Sequence, residues 1–149
     1  LRDICGREAG APPPVDLAAE KRNGDFVRGL IRSGRVRTVH DCSDGGLAVT
    51  LAEMAMAGGI GCTVDAVPDG LSAHAFLFGE DQARYVLAVP DEEAEAILRE
   101  AAAAGVPAAR IGSTGGETLT LPDEAPISLE RLRTAHESWL PAYMAGQHA

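Results

Sequence analysis

The chain has 149 residues, the length of one domain, and 46% of them are hydrophobic while 23% are charged. This composition is typical of a globular protein. The net charge of −9 argues against a nucleic acid or an anionic membrane as a partner, because both repel an acidic surface. No apolar run in the sequence is long enough to cross a bilayer.

The cysteines do not have the spacing of a metal site or of a disulfide framework. They are Cys5, Cys42 and Cys62. An odd number of cysteines without a recognisable pattern favours free thiols in a reducing, cytoplasmic setting.

The opening of the chain is typical of a connecting segment. It begins with Leu1 rather than methionine and contains the run Pro12-Pro13-Pro14. We therefore expect a piece of a longer polypeptide, with a linker from a preceding domain over 1–15 and one domain over 16–149.

The hydrophobic pattern predicts alternating helices and strands. They are a helix capped by Asp16 that ends near Ser33, a strand over 37–41, a helix over 46–57, a strand over 61–65, a helical turn ending near Ala75, a strand over 85–89, a helix over 92–104, strands over 108–113 and 117–121, and a last helix capped by Ser128. This order indicates an α/β sandwich of two or three layers, with a mixed β-sheet flanked by helices. A Gly115-Gly116 turn predicts that the last two strands form a hairpin.

The helix over 46–57 is apolar on nearly every side, so most of it must be buried. Its polar residues, Thr50 and Glu53, are three apart and share one face, which we expect to point to solvent or a partner. Closely spaced glycines after this helix, at 58, 59 and 61, predict close backbone packing. Near the end of the chain, Trp139-Leu140-Pro141 predicts that the last helix docks onto the core.

The loop between the first strand and the apolar helix has the clearest functional pattern. It contains Asp41, Ser43, Asp44, Gly45 and Gly46. Adjacent glycines allow close approach of a ligand to free N–H groups at a helix start, as in a phosphate cradle. Because the two carboxylates repel a bare phosphate, a magnesium-bridged phosphate or a hydroxyl-rich ligand suits the loop better. The structural alternative is that Ser43 or Asp44 caps the helix and Gly45 eases the turn.

A second polar stretch precedes the strand over 85–89. It contains Glu80, Asp81, Gln82 and Arg84. Glu80 and Gln82 point to the same side if the backbone is extended, and Arg84 can then grip a carboxylate or phosphate with two hydrogen bonds. The structural alternative is an ordinary surface ion pair of Arg84. No residue pattern identifies a catalytic group or a set of metal ligands.

Together the two stretches resemble a known family. The segments that carry the resemblance are HDCSDGGLA over 40–48, AEMA over 52–55, GGIG over 58–61, LFGEDQAR over 77–84, ISLE over 127–130 and WLPAYM over 139–144. They resemble the carboxy-terminal domain of the synthetase subunit in the phosphoribosylformylglycinamidine synthase family, within the aminoimidazole ribonucleotide synthetase-like superfamily. The resemblance spans nearly the whole chain.

This resemblance implies a module of an ATP-dependent ligase in de novo purine biosynthesis. The whole enzyme converts formylglycinamide ribonucleotide to its amidine with glutamine-derived ammonia, and it uses ATP and magnesium. The implied partners are the remaining synthetase modules of the same polypeptide and a glutaminase subunit or domain. Because the family's catalytic groups lie on amino-terminal modules, we do not expect the isolated chain to be active.

The resemblance also implies roles for particular residues. Glu80-Asp81-Gln82 is the counterpart of a Glu-Ser-Gln unit that binds substrate in the first carboxy-terminal module. Asp81 stands where the family usually has serine, and an acid there disfavours a nearby phosphate. Cys42 also departs from the family pattern and is assigned no role. The predicted ligand-binding residues are Asp41, Ser43, Asp44, Gly45, Gly46, Glu80, Gln82 and Arg84.

The expected task of such a module is to complete the fold, pack against its pseudo-symmetric half and border an auxiliary nucleotide site. Two alternatives remain open from the sequence. One is a non-catalytic interaction domain. The other is a module of a related superfamily enzyme such as the hydrogenase maturation protein, whose equivalent loop also has Gly-Gly-Leu after an acid.

Overall fold

A computed structural model describes residues 14–146. The helices are α1 (Leu17–Arg32), α2 (Gly46–Gly58), α3 (Ala73–Phe78), α4 (Asp91–Ala103) and α5 (Leu129–Met144). The strands are β1 (Thr38–Asp41), β2 (Cys62–Val64), β3 (Tyr85–Ala88), β4 (Gly112–Thr114), β5 (Thr118–Thr120) and β6 (Ile127–Ser128). No helix in this part of the chain is long and apolar enough to span a membrane. Most of the predicted linker over 1–15 lies outside the described residues, so its boundary with the domain stays a prediction.

The strands divide between two sheets. β1 and β3 form an antiparallel pair, and the other strands form a sheet in the order β4-β2-β5-β6. Within this second sheet β2 and β5 run parallel while the other neighbours are antiparallel, so the sheet is mixed. The predicted fold class, an α/β sandwich with a mixed sheet flanked by helices, is therefore confirmed.

The predicted hairpin of the last two long strands is wrong, because β4 and β5 lie on opposite sides of β2. The Gly115-Gly116 turn instead carries the chain across the start of β2. Gly115 N–H donates to Gly61 O at 2.7 Å, and Gly61 N–H donates to Gly116 O at 2.9 Å. A Cβ on Gly61 would collide with the backbone of Thr118. Gly61 thus marks the close backbone packing that the glycine cluster predicts.

Helix α2 lies in the main core and is buried on most sides, as its composition predicts. Leu47 and Leu51 belong to the main cluster of buried side chains. The expectation that Thr50 points to solvent or a partner is wrong, because Thr50 is 2% exposed. Its hydroxyl donates to Gly46 O at 3.0 Å and also lies 3.3 Å from Asp41 O. A helical threonine can satisfy its hydroxyl on the preceding turn, so it does not need solvent.

Two of the predicted helix caps are confirmed. Asp16 Oδ1 accepts the N–H groups of Ala18 and Ala19, both at 3.0 Å, at the start of α1. Ser128 Oγ accepts the Arg131 N–H at 3.2 Å at the start of α5. Both side chains satisfy N–H groups that have no partner inside the first helical turn.

Helix α5 contributes little to the core. Its one buried residue is Leu129, while Trp139 and Leu140 are 56% and 57% exposed. The expectation that this tryptophan segment docks the helix onto the core is therefore wrong. The Trp139 ring instead stacks on Tyr143, with 5.1 Å between the ring centroids. Arg133, nearer the helix start, contacts α2 by donating to Met56 O at 2.8 Å.

Candidate functional site

The turn between β1 and α2 is built on two glycines in the left-handed conformation. Gly45 has φ of +81° and Gly46 has φ of +63°, values that favour glycine. A Cβ on Gly46 would lie 2.6 Å from Gly79 O, so this turn packs directly against the segment that follows α3. A side chain at position 46 would therefore separate the two stretches that the sequence singles out.

Glu80 joins the two stretches through a hydrogen bond. Its Oε1 accepts the Gly45 N–H at 2.9 Å. Gly45 is the residue at the start of α2, so the carboxylate lies at the positive end of the helix dipole. The structural alternative, in which Ser43 or Asp44 caps this helix, is wrong because no side chain of the turn caps α2. The pairing links positions 35 residues apart, which a local motif cannot reveal.

Asp41 and Ser43 form a polar pair on the exposed side of the turn. Ser43 Oγ donates to Asp41 Oδ2 at 2.5 Å. This hydrogen bond is the main reason that the pKa of Asp41 lies below its usual value, and a backbone hydrogen bond to the carboxylate lowers the pKa further. Asp41 is therefore a carboxylate at neutral pH. The exposed Asp44 lies beside this pair in the chain.

Arg84 is engaged by backbone carbonyls at the end of α3. Its guanidinium donates to Gly79 O at 3.1 Å and to Phe76 O at 3.4 Å. The carboxylate of Asp81 lies 3.6 Å from the same guanidinium. These contacts satisfy carbonyls at a helix C-terminus and complement its dipole. A ligand-gripping role for Arg84, whose side chain is 28% exposed, stays a prediction.

The prediction that Glu80 and Gln82 point to the same side depended on an extended backbone. The loop does not have an extended backbone at this point. Gln82 and Ala83 form a turn, and Ala83 has φ of +62°. Asn23 of α1 holds this turn by donating from Nδ2 to Ala83 O at 3.1 Å. Sequence reasoning missed Asn23, because a single asparagine within an amphipathic helix carries no local signal of a distant contact.

The donor groups of the turn do not fit a phosphate or its magnesium ion. Glu80 Oε1 already occupies the position at the Gly45 N–H where a phosphate oxygen would bind. Over residues 14–146, no three or more His, Cys, Asp or Glu side chains are grouped so as to hold a metal ion. The exposed Asp41, Ser43 and Asp44 provide oxygen acceptors and one hydroxyl, which match a hydroxyl-bearing ligand better.

The family whose model matches this sequence is described as AIR synthase related protein, C-terminal domain, and the match covers residues 1–121. The chain belongs to this family. A phosphoribosylformylglycinamidine synthase subunit PurL from Methylocella silvestris is 64% identical over 145 residues, and one from Azorhizobium caulinodans is 60% identical over 144 residues. Each match covers 97% of this chain but 20% of the relative. The chain thus spans about a fifth of the length of the curated relatives that it matches.

Solved structures show the same fold. Thermotoga maritima PurL complexed with FGAR matches with a TM-score of 0.71 at 20% identity, over 87% of this chain and 24% of that chain. A Thermus thermophilus protein matches with a TM-score of 0.56 at 32% identity, over 68% and 36% of the two chains. Hydrogenase maturation protein HypE in complex with ATP matches with a TM-score of 0.53 at 24% identity, over 70% and 38%. At such low identity the PurL and HypE likenesses show the fold alone.

Proposed function

We propose that the chain is the carboxy-terminal module of the synthetase subunit of phosphoribosylformylglycinamidine synthase. The whole enzyme would use ATP to convert formylglycinamide ribonucleotide to its amidine with ammonia released from glutamine by a glutaminase partner. The observation that carries this proposal is the 64% identity to a PurL subunit across 97% of the chain. The hydrogenase maturation protein, the alternative from the same superfamily, is supported by a likeness of fold at 24% identity.

The module contributes to this reaction as a part of a larger polypeptide and is inactive in isolation. It spans a fifth of the length of its relatives. Residues 14–146 include no grouped set of metal ligands, and the N–H at the start of α2 is occupied by Glu80. In this proposal the groups that bind ATP and magnesium and perform the chemistry belong to the remaining modules. The enzyme would act in the cytoplasm, as the free thiols suggest.

The role of the turn in this proposal is to border a ligand that another module holds. Asp41 is a carboxylate at neutral pH and lies next to the exposed Ser43 and Asp44. A nucleotide at this border would direct its ribose hydroxyls toward these oxygens and its phosphates away from them, because the acids repel phosphate. Gly45, Gly46 and Glu80 shape the turn.

Gln82 and Arg84 complete the predicted ligand-binding set from the neighbouring loop. Arg84 fixes that loop through the carbonyls of Phe76 and Gly79. Gln82 lies in the turn that follows Glu80, so its amide is carried by a loop that is held at both ends. We therefore expect substitutions of Gln82 to weaken ligand binding more than they weaken the fold.

A chimeric enzyme tests the proposed function. The matching 145 residues of the Methylocella silvestris subunit are replaced by this chain, and ammonia-dependent synthase activity is measured in the assembled complex. We expect activity within about tenfold of the parent, or about 1.4 kcal/mol in transition-state free energy.

The matched control places the corresponding module of HypE at the same position. Because that module shares the fold at low identity, we expect this second chimera to be inactive. A folded chimera with this chain and no activity, beside an active parent enzyme, would refute the proposed function. Activity of the HypE chimera would show that the fold alone is sufficient.

A further inference from the structure

The edge of β1 that faces away from β3 has no strand partner among residues 14–146. In the β1–β3 register His40 lies opposite Val86, and just beyond the strands Cys42 N–H donates to Arg84 O at 2.9 Å. Antiparallel pairs alternate between hydrogen-bonded and non-bonded positions. His40 therefore bonds to β3, whereas Val39 directs its N–H and C=O to the opposite edge.

Asp41 provides an independent check of this direction. It lies two residues after Val39 in the strand, so its N–H and C=O point to the same edge as those of Val39. The Asp41 carbonyl lies 3.3 Å from the hydroxyl of Thr50 on α2, and not on the β3 side. Val39 is half-buried, yet no described residue makes a hydrogen bond to its outward N–H or C=O. A strand edge with unpaired N–H and C=O groups is a template on which a further strand can pair.

A cleft of about 570 Å³ follows this open edge. Residues 37–40 all line it. Because successive side chains of a strand point to opposite faces, four consecutive lining residues place the cleft along the strand edge and not on one face. The other lining residues include Met54 and Met56 of α2 and His136 and Glu137 of α5.

We propose that an extended segment of the same polypeptide, from outside residues 1–149, occupies this cleft and pairs with Val39 as an added strand. This inference rests on the proposed function, in which the chain is one module of a longer subunit. The relatives are matched over 20% of their length, so most of such a polypeptide lies outside this chain. A two-stranded sheet is marginally stable alone, and a third strand stabilises it.

The lining residues define the chemistry of the segment. Its backbone would pair with the N–H and C=O of Val39 by strand addition. Apolar side chains on one face would pack against the half-buried thioethers of Met54 and Met56, which adapt to irregular partners. Arg37 and Glu137 bring both signs of charge to the cleft, and Glu53 Oε2 lies 3.6 Å from His40 Nε2, so the lining does not select for the charge of the segment.

A second copy of this chain suits the edge less well. The net charge of −9 makes two copies repel each other. The strand has four residues, and its Asp41 end is already contacted by Thr50 of α2. A short edge of this kind limits pairing between whole molecules.

Amide hydrogen exchange in the complete synthetase subunit tests the inference. Val39 and His40 are neighbours, and His40 is the internal control because its amide bonds to β3 whether or not the cleft is filled. We expect the exchange rate of Val39 to lie within about tenfold of that of His40. A Val39 amide that exchanges like the exposed Gly70, beside a protected His40, would overturn the proposal.

A photo-crosslinking amino acid at Arg37 identifies the occupant. Arg37 is exposed and lines the cleft, and the same substitution at the exposed Arg32 of α1 is the matched control. We expect a link from position 37 to a segment of the same polypeptide outside 1–149, at a yield several-fold above position 32. A link to a second subunit, a link within 1–149, or an equal yield at both positions would each overturn it.

The activity of the same preparation separates this inference from the proposed function. A preparation that is active but has a fast-exchanging Val39 amide contradicts the proposed added strand and leaves the proposed function intact. A folded subunit without synthase activity contradicts the proposed function, whatever the exchange at Val39.

Discussion

The β1–α2 turn and helix α5 differ in where their side chains find partners. At the turn, the N–H of Gly45 is taken by Glu80 and the space beside Gly46 is filled by the backbone of Gly79. Along α5, Trp139 and Leu140 are more than half exposed. The comparison teaches that the glycines and acids of the turn make contacts within the described part of this chain. The apolar residues at the end of α5 make few such contacts.

The largest expected effect is at the turn. Gly46→Ala places a Cβ 2.6 Å from Gly79 O at φ of +63°. Backbone strain and overpacking together should lower the free energy of unfolding by about 2–6 kcal/mol. Urea unfolding of the purified chain measures it.

The matched control for that substitution is Gly29→Ala in the last turn of α1, where a Cβ meets nothing within 4 Å. It should stabilise the chain by up to about 1 kcal/mol, because alanine favours a helix. Equal effects of the two substitutions would show that the turn is not constrained as described.

The second prediction compares leucines on the two helices. Leu51→Ala in α2 removes a buried side chain of the main cluster and should lower the free energy of unfolding by about 3 kcal/mol. Leu140→Ala in α5 removes an exposed side chain and should change it by less than about 0.5 kcal/mol. Thermal or urea unfolding of both variants measures the difference. A loss at Leu140 as large as that at Leu51 would mean that the end of α5 is also packed onto the core.

The third prediction concerns the hydrogen bond that joins the two stretches. Glu80→Ala leaves the Gly45 N–H without its acceptor and should lower the free energy of unfolding by about 1 kcal/mol. Glu80→Gln keeps an acceptor oxygen but loses the charge at the helix dipole, so its effect should be smaller. Asp81→Asn, next in the chain, is the control and should have little effect, since the Asp81 side chain is 55% exposed and lies 3.6 Å from Arg84. No loss in Glu80→Ala would contradict the assigned contact.

The smallest expected effect is a dependence on pH at Asp41. Its folded-state pKa is lowered from 3.8, chiefly by the Ser43 hydroxyl, so the ionised form is favoured in the folded state. The resulting stabilisation is present above pH 3.8 and is lost as the pH falls through the lower folded-state pKa. Ser43→Ala should therefore lower the urea midpoint slightly at neutral pH, with a difference that shrinks as the pH falls below 3.8. A difference between the two proteins that grows on acidification would show that folding does not lower the pKa of Asp41.

Features that depend on neighbours in sequence were predictable. The caps at Asp16 and Ser128 and the burial of α2 follow from residue type and spacing, and the structure confirms them. The close packing at Gly61 follows in the same way.

Features that depend on competition between alternative tertiary contacts were not predictable from those patterns. The Gly115-Gly116 pair is typical of a hairpin, but β2 offers both flanking strands a partner, and the turn bonds to Gly61 instead. Thr50 satisfies its hydroxyl on α2 and is buried. In the candidate site, both polar stretches were identified, yet the pairing of Glu80 with Gly45 emerges only when α3 folds against the turn.

The most direct test of the central claim uses a synthetase subunit that lacks this segment. Ammonia-dependent synthase activity is measured with and without the 149-residue chain added, after a cooperative urea transition has shown that the chain is folded. On the proposed function, in which the chain is one module of this subunit, we expect activity to appear only in the mixture. Activity of the shortened subunit alone, or none in the mixture with a folded chain, would contradict it.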